Sequence, residues 1–123
     1  MLIVDDEANQ RSAVSRMVER WGFIVETAAD GQEALDKLPL FTPHAIVTDV
    51  MMPGMDGIAT LGALRANPVT AHVPVVFMTA RSQPAEIARY RSLGALDVIT
   101  KPFDPLVLAE QVRAIWQRAH VES

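Results

Sequence analysis

The feature that most narrows what this chain can fold into is a strict alternation of pattern. Short runs rich in Val and Ile, at 1–4, 23–27, 45–48, 73–78 and 96–100, are separated by stretches whose apolar residues recur at helical intervals. Strands and helices in that order imply parallel strands joined by right-handed crossovers, with helices on both faces of one sheet. The first, third and fourth runs show little polar alternation, the mark of strands covered on both faces, and are expected at the centre of the sheet. The fold class read from this pattern is α/β and doubly wound.

The intervening stretches carry their own start and stop signals. Val14, Met17, Val18 and Trp21 fall on one stripe of a first helix. Asp30 with Glu33 has the form of a capping box ahead of Ala34, Leu35 and Leu38, and Pro39 discourages continuation. Asp56 is the expected cap of a third helix carrying Ile58, Leu61 and Leu64 and ending near Asn67-Pro68. A fourth is expected from Pro84 to Ser92, with Gly94 as the left-handed residue beyond it. Asp104 and Pro105 open the last, whose inner face is Leu108, Val112, Ile115 and Ala119.

At 123 residues, with no repeat or linker, the chain 1–123 is expected to form a single domain, and 50% hydrophobic content supplies its core. The net charge of −4 has the wrong sign for counterion-release binding, so nucleic acids and anionic membranes are poor partners. No apolar run approaches the roughly 20 residues that span a bilayer. Met1-Leu2-Ile3-Val4 runs straight into Asp5-Asp6-Glu7 without the features of a signal peptide, and a cytoplasmic location is expected. The absence of cysteine excludes a disulfide, a thiolate metal site and a cysteine nucleophile.

In open α/β sheets, ligands bind beyond the carboxyl ends of the strands. The residues found there are Asp5 and Asp6, Asp49, Thr79, and Lys101 followed by Pro102. Three carboxylates brought within about 4 to 6 Å repel one another unless a cation lies between them. Hard oxygen ligands suit Mg²⁺, which keeps several waters and takes one or two carboxylates plus phosphate oxygens. Lys101 adds a fixed positive charge and Thr79 a donor, which together suit a transferred phosphoryl group. Asp49, alone at the end of a central strand, is then the natural acceptor, forming a mixed anhydride.

These residues carry a resemblance. Ile3-Val4-Asp5-Asp6-Glu7, the segment from Val47 to Gly57, Met78-Thr79-Ala80-Arg81 and Thr100-Lys101-Pro102-Phe103 resemble, in order and spacing, the receiver domain of two-component response regulators, chemotaxis regulators included, over essentially the full length. The resemblance implies a flavodoxin-like sheet of order 2-1-3-4-5 with five helices. It implies phosphorylation of Asp49 by a sensor histidine kinase or histidine phosphotransfer protein, making the chain a signalling phosphoacceptor that assists its own chemistry rather than an enzyme. Asp6 would ligate Mg²⁺ directly, Asp5 mostly through water, with Asp49 and the Met51 backbone carbonyl completing the set. Lys101, Thr79 and the Ala80 backbone amide would hold the phosphoryl group, and the bond before Pro102 would be cis. The partners implied are the kinase and a downstream effector, with a weak homodimer through the fourth helix, fifth strand and fifth helix.

One position departs from the family. Val98 stands where Tyr or Phe is usual, which puts the coupling between Thr79 and the output surface in question. Met51, Met52 and Met55 are read as core filler, and His44, His72 and His120 as surface residues. Ile115 is read as core, and Trp116 as either core or contact face. The short first strand favours a trimmed boundary, so the chain is expected to be a stand-alone receiver or a piece of a longer regulator or hybrid kinase.

Two other functions share parts of this pattern. A flavin carrier of the same architecture needs small hydroxylated residues after its first strand, where Asp5-Asp6-Glu7 would repel the flavin phosphate. An aspartate-nucleophile phosphatase needs Asp-x-Asp there. The nearer alternative is a receiver-like interaction module that works without phosphorylation; such forms typically lose one of the five residues retained here.

Overall fold

The computed structural model describes residues 1–20, 22–38, 43, 45–52, 54–80, 83–101, 104, 107, 110–115 and 117. Its elements run β1 (Leu2–Val4), α1 (Ala8–Glu19), β2 (Glu26–Ala28), α2 (Gly31–Lys37), β3 (Ile46–Asp49), α3 (Gly57–Ala66), β4 (Val75–Thr79), α4 (Pro84–Ser92) and β5 (Asp97–Thr100). Residues 107, 110–115 and 117 are helical and belong to a fifth helix, α5. All strand pairings are parallel and the order is β2-β1-β3-β4-β5, as the resemblance implied.

Because successive strand residues face opposite sides, the sheet divides the core in two. Leu2, Val4, Ile46, Val75 and Phe77 join Ala34, Leu61, Leu64 and Tyr90 on the side of α2, α3 and α4. Ile3, Val47, Val76, Met78 and Ile99 join Val14, Val18, Val112 and Ile115 on the side of α1 and α5. Each fully buried aliphatic or Phe side chain is worth about 1.5–3 kcal/mol, so β1, β3 and β4, buried along their whole length, anchor the sheet.

The expected caps form. Asp30 Oδ1 accepts from the Glu33 N–H at 2.8 Å, while Glu33 Oε2 accepts from the Ala29 N–H at 3.0 Å. Asp56 Oδ1 accepts from the Ala59 N–H at 2.8 Å. At the end of α4, Gly94 takes φ +112, its N–H donates to the Arg91 carbonyl, and the Ala95 N–H donates to the Tyr90 carbonyl, a Schellman closure. The cap of α1 is Glu7, whose carboxylate accepts from the Asn9 and Gln10 N–H groups at 3.2 and 2.6 Å. Glu is not a preferred cap residue, so pattern reading passes it over.

Strand boundaries shift by a residue or two. The largest difference is β2, which begins at Glu26: Phe23 and Val25 pack on the α1 side of the core from outside the strand, and Ile24 is exposed. Trp21, Pro39, His44, Pro105, Leu108, Trp116, Ala119 and His120 lie outside the described residues. His72 is exposed and Ile115 is buried, as expected.

Candidate functional site

The site follows from register. In the β1–β3 ladder Val4 pairs with Thr48, so the next residues, Asp5 just past β1 and Asp49 at the end of β3, stand side by side. Asp49 pairs with Met78, and Thr79 with Thr100, which brings the ends of β4 and β5 to the same edge. Asp5, Asp6 and Asp49 each offer a carboxylate oxygen within 4.8 Å of the others. Asp5 and Asp49 are buried, and Asp6 is exposed.

Two groups hold Asp49 from the other side. Lys101 Nζ donates to Asp49 Oδ2 at 2.5 Å, and the Met51 N–H donates to Asp49 Oδ1 at 3.3 Å. The Lys101 N–H donates to the Thr79 carbonyl at 2.8 Å, fixing the root of the lysine against β4. Thr79 is buried and Ala80, directly after it, is exposed. Pro102 lies outside the described residues.

Asp5 carries the electrostatic strain. Its Oδ1 accepts from the Glu7 N–H at 2.9 Å, but its Oδ2 is buried with no hydrogen-bond partner. Burial pushes the Asp5 carboxyl above the ordinary carboxylate range, and the negative charges of Asp49 and Asp6 add to the rise; the Glu7 N–H and Lys101 oppose it. A buried carboxylate oxygen lacking a partner, beside two further carboxylates, is the arrangement a hard divalent cation relieves. The donor set therefore fits Mg²⁺.

Three features escape a reading of the sequence. A Cβ on Gly57 would lie 2.4 Å from the Asp49 carbonyl oxygen, and the Gly57 N–H donates to the Val50 carbonyl, so the loop after β3 folds tightly under Asp49. Arg11 Nη1 donates to the Asp5 carbonyl at 2.7 Å, tying α1 to the acidic turn. Met51 is a correction to the core-filler reading: its residue is 59% exposed, while Met52 is buried and Met55 half-buried.

Residues 1–113 match the response regulator receiver domain family. The alkaline phosphatase synthesis transcriptional regulatory protein PhoP of Bacillus subtilis is 37% identical over 98% of this chain and 50% of its own length. Among solved structures, the chemotaxis response regulator CheY4 of Vibrio cholerae aligns with a TM-score of 0.86 at 33% identity, covering 93% of this chain and 95% of its own. The receiver domain of a signal transduction histidine kinase from Syntrophus aciditrophicus aligns with a TM-score of 0.82 at 36% identity, covering 94% and 88%. The chain spans about half the length of curated relatives such as PhoP. A match running through nearly the whole sequence shows the family: this chain is a receiver domain of two-component response regulators.

Proposed function

We propose that this domain accepts a phosphoryl group on Asp49 from a phosphohistidine of a sensor histidine kinase or histidine phosphotransfer protein, and that the phosphorylated state switches its contacts with a downstream effector. The observation that carries this reading is the placement of Asp49, buried between the Asp5–Asp6 pair and Lys101. In the transfer, a carboxylate oxygen of Asp49 forms the new bond to phosphorus as the phosphorus–nitrogen bond breaks, and the electron pair returns to the imidazole.

Asp6, Asp49 and the Met51 carbonyl, with Asp5 acting through water, would hold Mg²⁺. When bound, the ion supplies charge compensation for the phosphoryl oxygens. Lys101 pairs with the carboxylate before transfer and with the phosphoryl oxygens after it. Thr79 and the Ala80 amide donate to those oxygens. Attack by water on phosphorus then releases inorganic phosphate and restores Asp49.

The test is to mix the protein with Mg²⁺ and acetyl phosphate or phosphoramidate and weigh it intact. A mass gain of one phosphoryl group is expected, absent in Asp49→Asn and without Mg²⁺. A folded protein that gains no mass would instead be a receiver-like module that docks without phosphorylation. The domain is a signalling phosphoacceptor rather than a classical enzyme. Among the described residues no helix is long and apolar enough to cross a membrane. We place its action in the cytoplasm, with a weak homodimer through α4, β5 and α5.

A further inference from the structure

The family's usual aromatic is missing at position 98, and the structure holds another aromatic beside it. Val98 is half-buried, pairs with Phe77 across the β4–β5 ladder, and packs against the core on the α2–α4 side. Phe77 is fully buried, and the ring of Tyr90 from α4 meets it edge to face, with centroids 5.5 Å apart and planes at 84°. Tyr90 is itself 3% exposed. The aromatic contact under α4 is thus made by a side chain of α4.

Phe77 is two residues before Thr79 on the same strand, so the two side chains leave β4 on the same face. Any movement of Thr79 towards a phosphoryl group on Asp49 bears on the packing around Phe77, and close-packed interiors transmit displacement instead of absorbing it. The next rigid body in contact is the Tyr90 ring. The Tyr90 carbonyl also accepts the Ala95 N–H that closes the end of α4 before β5 begins. A shift of Tyr90 is therefore felt both along α4 and at the turn leading into β5.

We propose that Tyr90 is the residue through which α4 senses the phosphoryl site, with Phe77 as the intermediary from Thr79. This rests on the reading that Asp49 accepts a phosphoryl group. It places the coupling aromatic on α4 itself, against the Phe77 that pairs with Val98.

Tyr90 is the sole tyrosine of the chain, so ring-labelled tyrosine reports on this one site by NMR without ambiguity. Spectra of the full chain are recorded before and after addition of Mg²⁺ and acetyl phosphate, and intact mass is measured on the same samples. The expected result is a shift of the Tyr90 ring signals in the phosphorylated wild-type protein, absent in Asp49→Asn, and lost in Phe77→Leu phosphorylated to the same extent. Unchanged ring signals in wild-type protein whose mass shows phosphorylation overturn the proposal, and so does a full response in Phe77→Leu. Where Phe77→Leu fails to fold, Phe77→Met, which keeps the volume without the ring, carries the same comparison. No mass gain in the wild-type protein would instead remove the phosphoacceptor reading, and the coupling with it.

Discussion

Lys101 Nζ lies 2.5 Å from Asp49 Oδ2, although 52 positions separate the two residues in the chain. The lysine is the cation that lets Asp49 remain buried beside Asp5 and Asp6. Removing one partner of a buried pair leaves an uncompensated charge, so Lys101→Met is expected to cost about 3 kcal/mol. Adding Asp49→Asn should recover much of that loss. Urea denaturation of the wild type, both single variants and the double variant checks it, and strictly additive effects would count against direct coupling.

Asp5 sets a pH dependence. Its folded-state carboxyl lies above the ordinary value of 3.8, chiefly through burial. The folded protein therefore holds that proton more tightly than the unfolded chain. The stability linked to it is complete below the ordinary value and is lost as pH rises through the raised one. Asp5→Asn cannot ionise, so in metal-free buffer its stability relative to the wild type should rise across that window. Parallel unfolding curves with EDTA at acid and neutral pH measure the difference; a gap that does not widen with pH contradicts it.

Divalent cation should act in the same place. Mg²⁺ at 100 times its dissociation constant is expected to stabilise the native state by about 2.7 kcal/mol, and chelation should reverse this. Asp6 is exposed, so Asp6→Asn should leave metal-free stability nearly unchanged while weakening the Mg²⁺ response. Thermal denaturation with and without Mg²⁺ separates the two quantities.

Gly57 is expected to be intolerant of any side chain. Its α-carbon faces the Asp49 carbonyl and the Val50 α-carbon, both backbone atoms that cannot rotate away. Gly57→Ala should destabilise by about 2 kcal/mol through forced displacement of the loop after β3. Because that loop follows directly on Asp49, the last residue of β3, phosphorylation by acetyl phosphate should slow as well, which a time course of intact mass would show.

Val98→Tyr brings a second large ring towards a core already occupied by Phe77 and Tyr90. Overpacking is expected to cost about 1–3 kcal/mol. The mass gain at Asp49 should be unchanged, since Val98 pairs with Phe77 and packs in the core on the α2–α4 side rather than at the strand ends that carry Asp49 and Lys101. Denaturation and mass measurements on the same preparation test both halves.

Local signals carried much of this molecule. Asp30, Asp56 and Gly94 were legible as helix boundaries because each acts within a few residues of itself. Glu7 was not, since its long side chain caps by reaching two amides, a geometry its residue type does not announce. Met51 was misread because an apolar side chain next to a core strand looks internal, whereas the fold leaves it 59% exposed in the loop after β3.

The sequence by itself determined the alternation of elements, and with it the edge of the sheet at which Asp5, Asp49, Thr79 and Lys101 emerge, because strand periodicity and crossover handedness are properties of the local chain. Only the tertiary structure decided that Asp5 Oδ2 lacks a partner, that Gly57 must be bare, and that Tyr90 meets Phe77 beside Val98. Those depend on which atoms from distant segments share a space, and close packing between a sheet and its helices is not encoded in the spacing of residues along any one of them.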